Sequence, residues 1–145
     1  MPLRTGGVLE QYASGNGLGI TAREAAAEGR LPSVVARVGS VGALRGEDVV
    51  ALASEGAPDA LAVLDELGRW VAVGLADLVN VLDPAVVVLG GGVIDAGDLL
   101  VEPVRAHFAR MAIGSGHRGT PPIEVARLGS SAGAIGAALL AAGWS

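Results

Sequence analysis

Asp83-Pro84-Ala85-Val86-Val87-Val88-Leu89-Gly90-Gly91-Gly92 is the stretch on which the architecture turns. Proline disfavours helical geometry in the residue before it, so Asp83-Pro84 ends whatever helix precedes it. Ala85 to Leu89 is short, unbroken, rich in β-branched side chains and wholly apolar. That is the pattern of a strand covered on both faces. The glycine triplet then opens a turn at the strand's C-terminal end, where open α/β sheets take their ligands.

Upstream, the spacing predicts a long helix over 59–82. Leu61, Leu64, Val71, Leu75, Leu78 and Leu82 recur at three- and four-residue steps, with Gly68 in the vacant place. Gly68 and Gly74 each weaken a helix, so both are expected where a neighbouring element comes close. Downstream, a helix over 98–111 directs Leu99, Val101, Val104 and Phe108 inward. Pro121-Pro122 introduces a second strand over 123–128, and a small-residue helix over 132–142 follows. The order from Pro58 is helix, strand, helix, strand, helix, which argues an α/β unit with two parallel strands joined by a right-handed crossover. Two strands are few for a sheet, and a two-stranded sheet buried on both faces is hard to sustain, so the pattern reads as a piece of a larger one.

Before Pro58 the chain is helical and irregular. Val8 to Ser14 is helix-compatible and is broken by Gly15-Asn16-Gly17. Thr21 stands as N-cap to a helix ending at Gly29. Residues 30–46 read as a connector, and Glu47 to Ser54 as a short helix with acids in its first turn, where the helix dipole favours them.

Composition narrows the function classes. The chain has 145 residues, half of them hydrophobic, with scarce aromatics and 23 glycines, so its core must come from Ala, Val and Leu with Gly at close contacts. The formal charge is −5, and all ten basic residues are Arg, with no basic run to displace counterions from a nucleic-acid backbone. Cysteine is absent, which excludes disulfides and thiolate metal ligands and suits a reducing cytoplasm. The longest apolar stretches, 85–94 and 132–144, fall short of the roughly eighteen residues of a membrane span, and Met1 to Gly7 lacks the apolar core of a signal peptide. A cytoplasmic protein without membrane or nucleic-acid partners is the expectation.

Gly90, Gly91 and Gly92 are the leading site candidates, because residues without Cβ let a phosphate or ribose reach the backbone N–H groups. Taken alone, a glycine triplet is more simply a tight strand-to-helix turn that needs positive φ. Asp95 and Asp98 lie just beyond and could face a ligand or cap the next helix. Glu10, in Val8-Leu9-Glu10-Gln11-Tyr12, could accept hydrogen bonds from sugar hydroxyls or serve as a first-turn helix acid. His107 and His117 have no second His or carboxylate at ligand spacing, so a metal role is not expected. Trp70 and Trp144 read as packing residues.

Gly7-Val8-Leu9-Glu10-Gln11-Tyr12-Ala13-Ser14-Gly15-Asn16 resembles the Gly-Cys-x-Glu-x-Tyr-Ala-Ser-Gly segment of the ROK family of sugar kinases and repressors. The run from Leu78 through Gly90-Gly91-Gly92-Val93 to Leu100 resembles that family's second nucleotide motif. Leu128-Gly129 followed by Ala132-Gly133-Ala134-Ile135-Gly136-Ala137-Ala138 is similar to its C-terminal helix. The motifs stand in order and at matching spacings over nearly the whole chain, most closely as in glucokinase-type members.

The resemblance implies the C-terminal lobe of an actin-like (ribonuclease H-like) ATPase fold with an incomplete sheet. Residues 1–57 would then form a sugar-facing helical segment and 58–145 a nucleotide-facing one. It implies ATP with Mg and a hexose as ligands: Gly90, Gly91, Gly92 and Val93 beside the nucleotide, and Glu10 on the sugar hydroxyls. It implies a homo-oligomer or a missing N-terminal lobe as partner. The family's Asp-x-Gly-Gly-Thr phosphate loop and the Asn-Asp segment that supplies its general base do not occur in the sequence, so activity from these residues alone is not expected. Val8 stands where the family's motif has a Cys, so no zinc is expected. A fragment of a sugar-responsive regulator and a non-catalytic dimerising module are the alternatives.

Overall fold

The computed structural model describes residues 14–91, 96–112 and 119–143. Among these residues six helices and two strands follow in order: α1 (Gly15–Ala27), α2 (Pro32–Val38), α3 (Gly46–Ser54), α4 (Pro58–Leu82), β1 (Val87–Leu89), α5 (Asp98–Met111), β2 (Ile123–Val125) and α6 (Ala132–Ala141). Single 3-10 turns lie at Val41–Ala43 and Gly129–Ser131.

α1 begins well before the expected N-cap at Thr21. Ser14 is the cap: its side chain accepts a hydrogen bond from the Gly17 N–H at 3.1 Å. Glycines in a first turn are no obstacle once a hydroxyl satisfies the free donors there. Thr21 is buried inside the helix. The expected connector over 30–46 contains α2, started by Pro32 at the position where a missing N–H is harmless. Asp59, in the first turn of α4, ties α2 to it by accepting from the Ser33 N–H at 2.9 Å and the Ser33 hydroxyl at 2.6 Å. Burial raises the Asp59 carboxyl, but these bonds and one from the Ala60 N–H outweigh it and hold the group below the ordinary aspartate range.

α4 is the spine of the molecule, and its packing along α5 is the most extensive between any two elements. Its buried face is Ala60, Val63, Leu64, Leu67, Gly68, Ala72, Gly74, Ala76 and Val79. This differs from the leucine stripe read from the sequence. Leu64 is buried, Leu61, Val71 and Leu75 are half-buried, and Leu78 and Leu82 are 51% and 68% exposed. The small residues decide the face, because they let α5 approach. At Gly68 a Cβ would lie 2.7 Å from the Cβ of Pro103 and 3.1 Å from the Val104 nitrogen, so no side chain fits between the helices. α5 buries Leu100, Val101, Val104 and Phe108, with Leu100 taking the place expected for Leu99.

α4 ends where the Asp83-Pro84 pair requires, with Asp83 in the left-handed region at φ 44°. β1 and β2 form a two-stranded parallel sheet, Val87 opposite Ile123, Val88 opposite Glu124 and Leu89 opposite Val125. Val87, Leu89 and Ile123 pack on the core. The opposite face of β1 is bare, with Val86 46% and Val88 60% exposed, so the expectation of a strand buried on both faces is corrected. α6 is apolar along its length yet buries no residue.

Candidate functional site

The turn after β1 is anchored by the sheet. The Ala126 N–H donates to the Leu89 carbonyl at 2.8 Å, which fixes the point where the chain leaves the strand. Gly91 has φ +98°, a conformation that L side chains rarely adopt, so the turn itself requires glycine there. Gly90 is different. Its φ lies outside that region, and an added Cβ would meet only the Ala126 Cβ at 3.5 Å, an ordinary contact. Among the described residues neither the backbone nor a neighbour requires glycine at Gly90. Both residues are exposed at the C-terminal end of β1. Gly92, Val93, Asp95 and Glu10 lie outside the described residues.

Beyond the turn, Gly97 takes φ 57° and is the N-cap of α5, so Asp98 sits in the first helical turn and does not cap it. Its acid lies where the helix dipole favours negative charge. The first turn of this helix and the glycine turn flank the undescribed residues 92–95.

Arg105 links α5 to the sheet, its guanidinium donating to the Ile123 carbonyl at 2.7 Å. His107, read in the sequence as lacking a carboxylate partner at ligand spacing, has one on another helix. Its Nε2 lies 3.0 Å from Asp65 Oδ1 on α4, and Arg110 donates to its Nδ1 at 2.9 Å. An arginine cannot accept a proton, so this arrangement places the ring proton on Nε2, directed at Asp65. The relay clips α4 to α5 and is separate from the glycine turn; the 42-residue separation of its two helices hid it from sequence reading. Trp70 carries the Arg69 guanidinium 5.0 Å from its ring centre. Among the described residues no three His, Cys, Asp or Glu side chains are placed to hold a metal ion. No helix among them is long and apolar enough to cross a membrane.

A strand, a glycine turn at its C-terminal end and the helix that follows are shared by many nucleotide-binding folds, and comparison with known proteins decides among them. The model of the ROK family matches residues 4–143. The chain belongs to the ROK family. It is 37% identical over 138 residues to a glucokinase from Streptomyces coelicolor, covering 93% of this chain and 44% of that protein. Among solved structures, a ROK family glucokinase from Streptomyces griseus in complex with glucose and AMPPNP superposes with a TM-score of 0.84 at 38% identity. That match covers 94% of this chain and 45% of the glucokinase. A ROK hexokinase from Thermus thermophilus matches with a TM-score of 0.60 at 32% identity, over 92% of this chain and 40% of that one. The ROK chain thus spans rather less than half the length of these relatives. Its fold is the C-terminal part of the actin-like ATPase fold that the sequence resemblance implied, with a small two-stranded parallel sheet among the described residues.

Proposed function

We propose that this ROK chain is the nucleotide- and sugar-facing C-terminal portion of an ATP-dependent hexose kinase of glucokinase type. The single observation that carries the reading is Gly90. It is a glycine at the end of β1 that neither its backbone nor any described neighbour requires, in a chain shaped like a glucokinase in complex with glucose and AMPPNP. At the C-terminal end of a strand, a residue without Cβ leaves the backbone open to an approaching phosphate or ribose. In this reading Gly90, Gly91, Gly92 and Val93 lie beside the nucleotide, and Glu10 accepts hydrogen bonds from hexose hydroxyls. Residues 58–145 are the nucleotide-facing segment and 1–57 the sugar-facing one.

Mg, where it accompanies the ATP, would supply charge neutralisation at the phosphates. Zinc finds no thiolate, since the chain has no cysteine and Val8 occupies the position where its motif resembles one with Cys. Phosphoryl transfer rests on positioning and on charge stabilisation around the phosphates. Neither the Asp-x-Gly-Gly-Thr loop nor the Asn-Asp segment is among these residues, so the chain alone holds ligands without turning them over.

Calorimetric titration with Mg-ATP and with glucose tests the reading. Nucleotide binding weakened about tenfold or more by Gly90→Val, with the helical circular dichroism unchanged, is the expected outcome. Binding that is indifferent to the side chain at Gly90 would overturn the assignment of the turn. Measurable ATP-dependent phosphorylation of glucose by the purified chain would overturn the inactivity.

A further inference from the structure

We infer that Arg127 is a phosphate-contacting residue of the nucleotide site, its guanidinium pairing with phosphate oxygens of a nucleotide that lies against Gly90 and Gly91. The inference deepens the nucleotide reading given above and rests on it, and it gives a role to a residue outside the glycine motif.

The strand register places Arg127 beside the turn. Leu89 stands opposite Val125, and the Ala126 N–H donates to the Leu89 carbonyl at 2.8 Å, so the two chains still run side by side past the end of β2. A Cβ added at Gly90 would meet the Ala126 Cβ at 3.5 Å, which sets Gly90 against Ala126. Arg127 is the next residue of the chain, one place beyond that pair. Neighbouring strands lie about 4.8 Å apart, a distance that an arginine side chain can span. Open α/β sheets take their ligands at this end of their strands. A cation and a turn without side chains therefore stand together where a ligand arrives.

The other charges near the turn do not favour an anion. The helix that follows it carries an acid, Asp98, in its first turn. A phosphate approaching the glycines meets that carboxylate as well as the backbone N–H groups, so a positive side chain is needed to offset it. Among the described residues Arg23 and Arg105 donate to backbone carbonyls, Arg30 and Arg37 to glutamates and Arg110 to His107, while Arg69 lies over the Trp70 ring. Arg127 is exposed and has no hydrogen bond, ion pair or ring contact among them. Its nearest acid along the chain, Glu124, stands opposite Val88, back along the strand from the turn, and forms no ion pair with it. The Arg127 charge is thus not neutralised locally, in a chain whose formal charge is −5. A guanidinium is suited to the task because it offers two parallel N–H donors to phosphate oxygens.

The test is calorimetric titration of the full 145-residue chain and of its Arg127→Gln, Arg127→Lys and Arg37→Gln variants with Mg-ATP, Mg-ADP and adenosine. Arg127 is exposed and makes no polar contact, so its variants are expected to keep the circular dichroism of the chain. Arg127→Gln should weaken Mg-ATP and Mg-ADP about tenfold or more and leave adenosine within about twofold. Arg127→Lys keeps the charge and should retain part of the affinity, since an ammonium does not pair bidentately. Arg37→Gln removes one positive charge from α2, where it is paired with Glu55, and should leave all three affinities unchanged. Equal loss of adenosine and Mg-ATP on Arg127→Gln overturns the phosphate contact, because a guanidinium lying on the base gives that pattern. Unchanged binding by Arg127→Gln overturns it too, as does an equal loss on Arg37→Gln, which would reduce the effect to overall charge. In each of those cases the unaltered chain still binds Mg-ATP, so the nucleotide reading stands without Arg127. An unaltered chain that binds neither Mg-ATP nor adenosine overturns both.

Discussion

Gly68 shows how one residue sets the distance between two helices. Replacing a helical glycine with alanine ordinarily gains up to about 1 kcal/mol from reduced backbone entropy in the unfolded chain. Here the new Cβ would stand 2.7 Å from the Pro103 Cβ, more than half an ångström inside normal carbon contact. Proline is stiff and sits mid-helix in α5, so relief requires α4 and α5 to separate along the buried row of Leu64, Leu67, Val104 and Phe108. Overpacking of this kind costs roughly 1–3 kcal/mol and outweighs the propensity gain. Gly68→Ala is therefore expected to lower the urea midpoint of the chain. A raised midpoint would show that the helices can part without loss. The sequence placed a close approach at Gly68, because glycine inside a strong helix pattern needs such a reason. It did not identify the partner, since Pro103 lies on a different helix and no local rule joins the two.

The same substitution has the opposite sign in α6. At Gly133 and Gly136 nothing among the described residues lies within 4 Å of an added Cβ, and neither residue has positive φ. With no packing to disturb, only the helix propensity changes, by up to about 1 kcal/mol. Gly136→Ala should increase the helical signal of the isolated chain at 222 nm and slow amide exchange across Ala132–Ala141. No change would mean that α6 is already fully formed. Element order was legible because periodicity and punctuation are local: Asp83-Pro84 ended α4, the apolar run made β1, and Pro121-Pro122 preceded β2. What was not legible depended on neighbours. The start of α1 turned on a Ser14 cap overriding two glycines. The inward face of α4 turned on alanines and glycines, which a leucine stripe does not reveal. The bare face of β1 is a property of what stands next to it. At the candidate site the glycine triplet was visible, but the difference between Gly91, fixed by its φ, and Gly90, free of any such need, came only from the backbone.

At the scale of the whole molecule, charge and bare apolar surface oppose each other. The formal charge of −5 at pH 7 keeps copies apart, while Leu78, Val81, Leu82, Val86, Val88, Leu139 and Leu140 offer surfaces that attract. The ion pairs do not alter this balance. Arg30–Glu28, Arg37–Glu55 and Arg105–Glu102 are exposed pairs that are neutral in sum and contribute little. As pH falls toward the isoelectric point near 4.9, carboxylates take up protons, the net charge vanishes and the apolar term is left unopposed. Turbidity of the isolated chain should therefore peak close to that pH and grow at pH 7 when salt screens the charge. Loss of charge alone predicts the same peak for any acidic protein, so the contribution of α6 needs its own control. Replacing Leu139 and Leu140 together with glutamine leaves every ionisable group in place and removes two exposed leucines from a helix that buries no residue. The double variant should keep the same isoelectric point and lose most of the turbidity. An undiminished peak would locate the attraction elsewhere, on the open strand or the end of α4.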